Sequence, residues 1–363
     1  MTASVYPSSL ASNLRGIAAD FADLAATAER TNDDAAVGVK AESLLALVAA
    51  HLRTQIGGQD TADEVVVMAD LHDDLLSDYD RRVSAAAENG GIVGARCGLD
   101  HLDEIINGWQ SGVYILGALS STGKTTLCLQ WASHIAQTGK HALYISLENS
   151  ALDLRTKTAC RFGHLSYADA KKGRIPRAEW ARANDLVDDR LGRRLTTYCP
   201  RGMLRPLPEI AQEATEKMGA PPALIVVDYL QEMASRISGS PVDDERQMLN
   251  NFIPSMRQVA ERYGCAVLAI SSLNRASNGA AGKGNRGSDL SSFMGTAKIE
   301  YGSDVAMLLT RAEENETMAA RTIYGSTIRR MELHIVKNRE GMTGRPIPLE
   351  MWGDQCLFQE EDR

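Results

Sequence analysis

The chain has 363 residues, 44% of them apolar and 24% charged, which bounds it to one large domain with a small companion or to two of middle size. Its net charge of −8 excludes a uniformly basic surface, and its six cysteines form no CxxC pair and no cluster with histidine, against a zinc site or disulfide framework and for a reducing, cytoplasmic setting. No basic-then-apolar leader and no apolar stretch of spanning length occurs, so no membrane role is expected.

The charge is unevenly placed. Residues 1–92 hold 6 basic and 15 acidic residues, whereas the remainder holds 33 and 32 and is nearly neutral. Any nucleic-acid contact by the larger part is therefore expected to be local, through particular loops. The acidic part reads as helical throughout. Leu10, Leu14, Ile17, Phe21 and Leu24 recur at helical spacing, and Leu44, Leu45, Val48 and Leu52 form a second set. A third helix is predicted over about 61–88, with Val65, Met68, Leu71, Leu75 and Tyr79 on one side and a run of Asp on the other. It reads either as an ordinary helix with a solvated acidic face or as a linker helix that docks its apolar stripe on a neighbouring subunit. ENGGIVGARCG (88–98) then loses periodicity and carries four glycines, a hinge or boundary signal. The expected division is a helical region at 1–60, a linker helix and hinge at 61–92, and a larger domain at 93–363.

In that larger part short apolar runs alternate with helical stretches. Strands are predicted at 113–116, 142–147, 223–228, 266–271, 305–310 and 333–336. The pattern predicts an α/β domain with a mostly parallel sheet. SNGAAGKGNRGSDLSS (277–292) reads as a loop, and residues 311–330 as a long connector between two strands.

GALSSTGKTT (117–126) follows the first predicted strand and opens a helix. It is a phosphate-loop pattern in which Ala118 stands at the position of the first glycine. The loop residues Ala118, Ser120, Ser121, Thr122, Gly123, Lys124, Thr125 and Thr126 are the candidate nucleotide-binding set. Gly123 can bring its N–H close to phosphate oxygens, Lys124 can neutralise the β/γ-phosphates, and the Thr125 hydroxyl can coordinate Mg²⁺ at a helix N-terminus. Two carboxylates close predicted strands where such a site needs them: Asp228 for the metal shell and Glu148 to activate water.

With these residues in order, the chain resembles the RecA-like motor domain of DnaB-type replicative helicases over roughly 93–360. CGLDHLDEIINGWQSGVYIL (97–116) looks like the family's entry segment. ALSSTGKTT resembles its phosphate loop, ISLENS (145–150) its glutamate block, and KKGRIPRAEW (171–180) a basic-Gly turn before a helix start. LIVVDYLQEM (224–233) resembles its metal-binding strand, VLAISSLNRAS (267–277) its sensor strand, and GSDL…IEYGSDVAMLL (287–309) the block after its second DNA loop. VKNREGMTG (336–344) resembles the strand end carrying a basic pair that reaches a neighbouring subunit. The resemblance implies a RecA-like P-loop core, ATP and Mg²⁺ as ligands, Glu148 as general base, Asp228 assisting the metal, and Lys337 and Arg339 acting in trans, Arg339 as an arginine finger. It implies single-stranded DNA in a homo-oligomeric, hexameric ring, contacted by loops at about 233–245 and 275–294 with Arg275, Lys283 and Arg286.

Two features depart from the family. Ser272 stands where a Gln is usual, and residues 1–92 do not resemble the helical collar, so the family's primase-docking surface is not carried over, while a loader or primase-like protein stays a candidate partner of that region. Three other readings compete with an ATP-dependent helicase. They are a recombination or regulatory ATPase assembling on DNA or protein without unwinding, a nucleotide-dependent scaffold with an uncoupled motor, and a small-molecule kinase.

Overall fold

The computed structural model of the chain describes residues 67–202, 204–230, 232–233, 245–272, 302–312, 321–323 and 326–361. The helices expected within 1–60 therefore lie outside the described residues, as do Arg275, Lys283, Arg286 and both expected DNA loops, but for residue 233 and the start of the next helix at 245. In chain order the elements are a 3₁₀ turn (Met68–Leu71), α1 (His72–Glu88), α2 (Asp100–Ile106), β1 (Gly112–Ala118), α3 (Lys124–Gln137), β2 (Ala142–Ser146), α4 (Ala151–Gly163), α5 (Tyr167–Lys171), α6 (Arg177–Leu191), β3 (Leu195–Tyr198), α7 (Leu207–Met218), β4 (Leu224–Asp228), α8 (Glu245–Tyr263), β5 (Ala266–Ser272), β6 (Val305–Arg311), β7 (Arg321–Ile323), β8 (Ser326–Asn338), β9 (Ile347–Trp352) and β10 (Leu357–Glu360).

One sheet holds all ten strands in the order β10-β9-β8-β6-β1-β5-β4-β2-β3, with β7 paired to β8. The strands from β6 across to β3 run parallel, and β7 to β10 add an antiparallel wing. β1 is central and buried at all seven positions. Its alternate residues face two different cores. Tyr114, Leu116 and Ala118 pack with Leu127, Trp131 and Ile135 of α3, while Val113 and Ile115 pack with Ile210 of α7 and Met256 and Val259 of α8. A strand covered on both faces has no solvated side, which is why these runs read as continuous apolar stretches rather than as alternation.

Two predicted boundaries move. LTTY (195–198) forms the edge strand β3; its half-exposed Leu-Thr-Thr-Tyr is too short and polar to stand out as an apolar run. Residues 321–330 are not connector: β7 and β8 form a hairpin there, and β8 extends the strand expected at 333–336 to thirteen residues. Ile328, Met331, Leu333 and Ile335 are its buried positions. The basic and acidic residues between them mask the pattern.

α1 buries none of its residues, and Leu75, Leu76, Tyr79 and Val83 are each half exposed or more. After it the glycine-rich stretch enters the core. Ala95 bridges Trp109, and the Asn89 side chain donates to the carbonyls of Ile92 and Gly94. Asp103 of α2 then holds the turn. Its fully buried carboxylate accepts from the backbone N–H of Cys97 at 3.0 and 3.1 Å and of Gly98 at 3.4 Å. Gly98 has φ +84°, and a Cβ there would stand 2.5 Å from the His134 ring, so the turn is tied to α3 by shape as well.

Asp103→Ala is expected to strand those two N–H groups and to lower the unfolding free energy by about 2–4 kcal/mol. Urea unfolding measures the loss. Nucleotide affinity of the folded fraction should stay within experimental error of the parent.

Candidate nucleotide site

β1 runs out at Ala118, and the chain turns through residues 119–123 into α3. Ala118 is an extended residue of β1, paired with Ser272 and Leu309, and its methyl group is part of the core. The position makes no demand for left-handed backbone, which explains why alanine serves where the pattern has glycine. Gly123 differs: φ is +93°, and a Cβ would sit 2.8 Å from both Met351 and Phe358 of β9 and β10. Ser121 also takes left-handed backbone, at φ +64°. Thr122 pins the loop by donating from its hydroxyl to the Leu119 carbonyl at 2.7 Å.

Lys124 curls back over this loop. Its Nζ donates to the carbonyls of Ala118 (2.7 Å) and Leu119 (2.9 Å). Burial pushes its pKa down, against the pull of Asp228 and Glu148. A cation held half-desolvated beside carbonyl dipoles is poised to exchange them for an anion.

At the neighbouring strand ends, Asp228 (2% exposed) is the convergence point. Its Oδ2 accepts from the Thr125 hydroxyl at 2.8 Å and from the Tyr144 hydroxyl at 2.9 Å. Burial raises the Asp228 pKa; the two hydroxyl donors oppose the rise, and the nearby Glu148 adds to it. The Leu147 N–H donates to the Asp228 carbonyl at 2.8 Å, which ties the end of β2 to the end of β4 and sets Glu148 beside the cleft. The Asn149 N–H donates to Ser146 Oγ, and Ser150 caps α4 by accepting from the Asp153 N–H. Lys157 of α4 reaches back to Asn149 Oδ1 at 3.3 Å. Ser120, Lys124, Thr125, Glu148, Lys157 and Asp228 are among the residues lining the resulting cleft of about 640 Å³.

The structure thus brings together the loop residues, Glu148 and Asp228. Ala118 borders them from within the strand, and Thr126 lines the same cleft. Tyr144 and Lys157 were missed from sequence. Tyr144 is two residues before Ser146 on the strand whose Ser146 pairs Asp228, so period-2 reasoning on β2 points at it; Lys157 lies on a helix whose orientation sequence alone does not fix.

Lys337 and Arg339 are not part of this cluster. Lys337 of β8 pairs Ala306 of β6 and donates to the Ser303 carbonyl at 2.5 Å. Arg339 Nη1 donates to Asp304 Oδ1 at 3.0 Å, and the Asp304 backbone pairs with Val113 at the start of β1. Val113 and Ala118 are five residues apart on one strand, so about 17 Å of β1 separates this basic pair from the phosphate loop. They sit at opposite edges of the sheet.

Gly123→Ala is expected to cost about 1–2 kcal/mol in backbone strain, plus the clash with Met351 and Phe358, and to weaken nucleotide binding strongly. Gly139→Ala is the matched control: φ is +90° but a Cβ meets nothing within 4 Å. Thermal unfolding should fall further for the first, and titration with a fluorescent nucleotide should be affected only by the first.

Comparison with known proteins fits this geometry. Residues 94–359 match the family model of the DnaB-like helicase C terminal domain. Among similar curated proteins are the replicative DNA helicases DnaB of Leifsonia xyli subsp. xyli (25% identical over 321 residues, 85% of this chain and 65% of that one) and of Treponema pallidum (26% identical over 256 residues, 69% and 55%). The chain therefore spans less than two thirds of the length of these relatives. Among solved structures, an isolated ATPase domain superposes with a TM-score of 0.66 at 18% identity, covering 80% of this chain and 99% of that one. A DnaB-like replicative helicase solved for its interactions with primase superposes with a TM-score of 0.63 at 18% identity, covering 95% and 75%. The fold is the RecA-like one of these ATPases. Because that family model matches most of its length and spans the loop, both carboxylate-bearing strands and the basic pair, the chain belongs to the DnaB-like helicase C-terminal domain family.

Proposed function

We propose that this chain is an ATP-driven helicase that assembles as a homohexameric ring and translocates on single-stranded DNA. The observation that carries this reading is the separation of the phosphate loop from Lys337 and Arg339, at opposite edges of one sheet. A residue at the far edge cannot serve its own chain's nucleotide, but it is available to the site of the next chain around a ring.

Lys124 leaves the Ala118 and Leu119 carbonyls to meet the β/γ-phosphates of ATP, and the N–H groups at the start of α3 face the same anion. The residues fit such a ligand: Gly123 at φ +93°, two lysines, the Thr125 hydroxyl and the carboxylates Glu148 and Asp228 line one open cleft. Thr125 and Asp228 offer a hydroxyl and a carboxylate 2.8 Å apart, hard oxygen donors of the kind that hold Mg²⁺. When bound, Mg²⁺ neutralises charge on the phosphate oxygens. Glu148, exposed in the cleft, takes the proton of the attacking water, while Arg339 of the adjacent subunit stabilises charge on the transferred group. Residues 93–363 form the motor in this scheme, 61–92 a linker helix and hinge, and 1–60 a helical region. The exposed apolar side of α1 docks on a neighbouring subunit, and the acidic helices before it meet a loader or primase-like protein. The setting is the cytoplasm; among the described residues no helix is long and apolar enough to cross a membrane.

Lys124→Ala should abolish hydrolysis and weaken ATP binding, while Glu148→Gln should bind ATP and stall. Arg339→Ala should bind ATP yet lose about 10³–10⁵-fold in turnover. Mixed with Lys124→Ala subunits, it should regain part of the rate, since intact loops then meet intact fingers, and single-stranded DNA should stimulate that rate. Normal turnover by Arg339→Ala alone, or a co-assembled mixture that stays inactive, would count against the inter-subunit scheme.

A further inference from the structure

At the edge of the sheet away from the phosphate loop, one carboxylate gathers an unusual number of donors. Asp304 Oδ2 accepts from the Val113 N–H at 2.8 Å, and both carboxylate oxygens lie 3.1 Å from Arg257 Nη2. Oδ1 also accepts from Arg339 Nη1 at 3.0 Å. The backbone repeats the link, with the Arg339 N–H donating to the Asp304 carbonyl at 2.9 Å and the Asp304 N–H to the Val113 carbonyl at 2.7 Å. There is little room for anything else, since a Cβ on Gly112 would come within 2.8 Å of Asp304 Oδ2. Burial works to raise the pKa of Asp304. The Val113 N–H, Arg257 and Arg339 outweigh that and hold it below the usual carboxylate range, so it stays charged at neutral pH.

The two arginines are not equivalent. Arg257 is turned inward, its Nη2 also donating to the Gly302 carbonyl at 2.9 Å, and its side chain is 33% exposed. Arg339 touches Asp304 through Nη1 while its side chain stays 63% exposed, leaving most of the guanidinium fork open to an incoming anion. The turn behind it is fixed as well: Asn338 Nδ2 donates to the carbonyls of Ile105 and Met342. A cleft of about 240 Å³ opens beside the pair, lined by Tyr114, Arg257, Asp304, Asn338 and Arg339 among others. Two guanidinium groups share the Asp304 carboxylate; Glu261 and Glu340 line the same cleft, so what is offered to a phosphoryl group arriving from outside is the open side of the Arg339 fork rather than a net positive cleft.

We infer that Asp304 is the positioning residue of the trans-acting arginine, anchoring one nitrogen of Arg339 at the start of β1 so that the rest of the fork is presented to the nucleotide of the adjacent subunit. This rests on the reading of Arg339 as a finger and extends it to the residue that aims it. A long arginine on a strand end loses rotamer freedom to reach a transition state; tethering it beforehand removes that loss from the chemical step.

The test is Asp304→Asn, which keeps an acceptor for Val113 and the side chain's shape but removes the charge that holds both arginines. Turnover should fall by about 10²-fold, with the KM for ATP within about 2-fold. Two mixtures then locate the defect. With Lys124→Ala subunits, whose Asp304 and Arg339 are intact, hydrolysis should return. With Arg339→Ala subunits it should not, because neither variant offers an aimed finger. Recovery only with Arg339→Ala would assign Asp304 to its own chain's nucleotide and overturn the inference. So would unchanged turnover in Asp304→Asn, or co-assembled mixtures that recover with neither partner. Arg339→Ala with Lys124→Ala is the reference mixture. If that one stays inactive, it is the finger reading that fails rather than the role of Asp304. Asp304→Glu, which keeps the charge and shifts the carboxylate by one methylene, is judged by the same mixtures should the Asn variant not fold.

Discussion

The parallel pairing of β1 with β5 on one side and β6 on the other is the constraint on which the rest depends. Parallel strands put all their carboxyl ends at one edge and all their amino ends at the other. With β1 buried along its whole length, anything attached at its two ends is held at a fixed separation. The phosphate loop leaves from one end, while Asp304, Arg257 and Arg339 gather at the other. β8 makes this work: by returning antiparallel to β6 it carries Lys337 and Arg339 back to the amino-end edge. A chain folded this way carries its phosphate loop at one edge and the basic pair at the opposite edge, and under the proposed reading its site is completed by a neighbouring copy.

Within the nucleotide cleft the same economy of fixed dipoles recurs. Burial pushes the Asp228 carboxyl pKa up, and the Thr125 and Tyr144 hydroxyls that donate to it oppose that rise. Lys124 is kept from full solvation and satisfied by two carbonyls that are weak competitors for it compared with a phosphate. These groups are oriented by backbone that cannot easily move, because the loop lies under Met351 and Phe358 of the antiparallel wing. The wing thus roofs the phosphate loop and, through β8, delivers the basic pair to the far edge.

Much of this was legible in the sequence. The apolar runs at 113–116, 142–147, 223–228 and 266–271 are strands buried at every position but the flanking Leu147 and Ala223, and burial on both faces is what makes such runs conspicuous. GKTT, Glu148 and Asp228 fall together because strand ends in a parallel sheet converge without any detailed packing having to be known. Less legible was whatever depends on side-chain direction or on polar edges. β3 is half exposed, the start of β8 alternates charge with apolar residues, and Lys157 enters the cleft from a helix face that spacing alone does not aim. Asp304 was hidden for a different reason. In the sequence Asp304 merely precedes the strand expected at 305–310, and only the crossing of β1, α8 and β8 brings Val113, Arg257 and Arg339 to it.

The central claim is that one chain holds an incomplete site. The most direct measurement is the ATPase rate per chain across a dilution series, with particle mass recorded on the same samples. The account predicts that chains resolved as monomers bind ATP and hardly turn it over, and that the rate per chain climbs with the assembled fraction. Monomers hydrolysing ATP at the rate of the assembled particle would contradict it, because a lone chain has no cation from the far edge to offer its own phosphate loop.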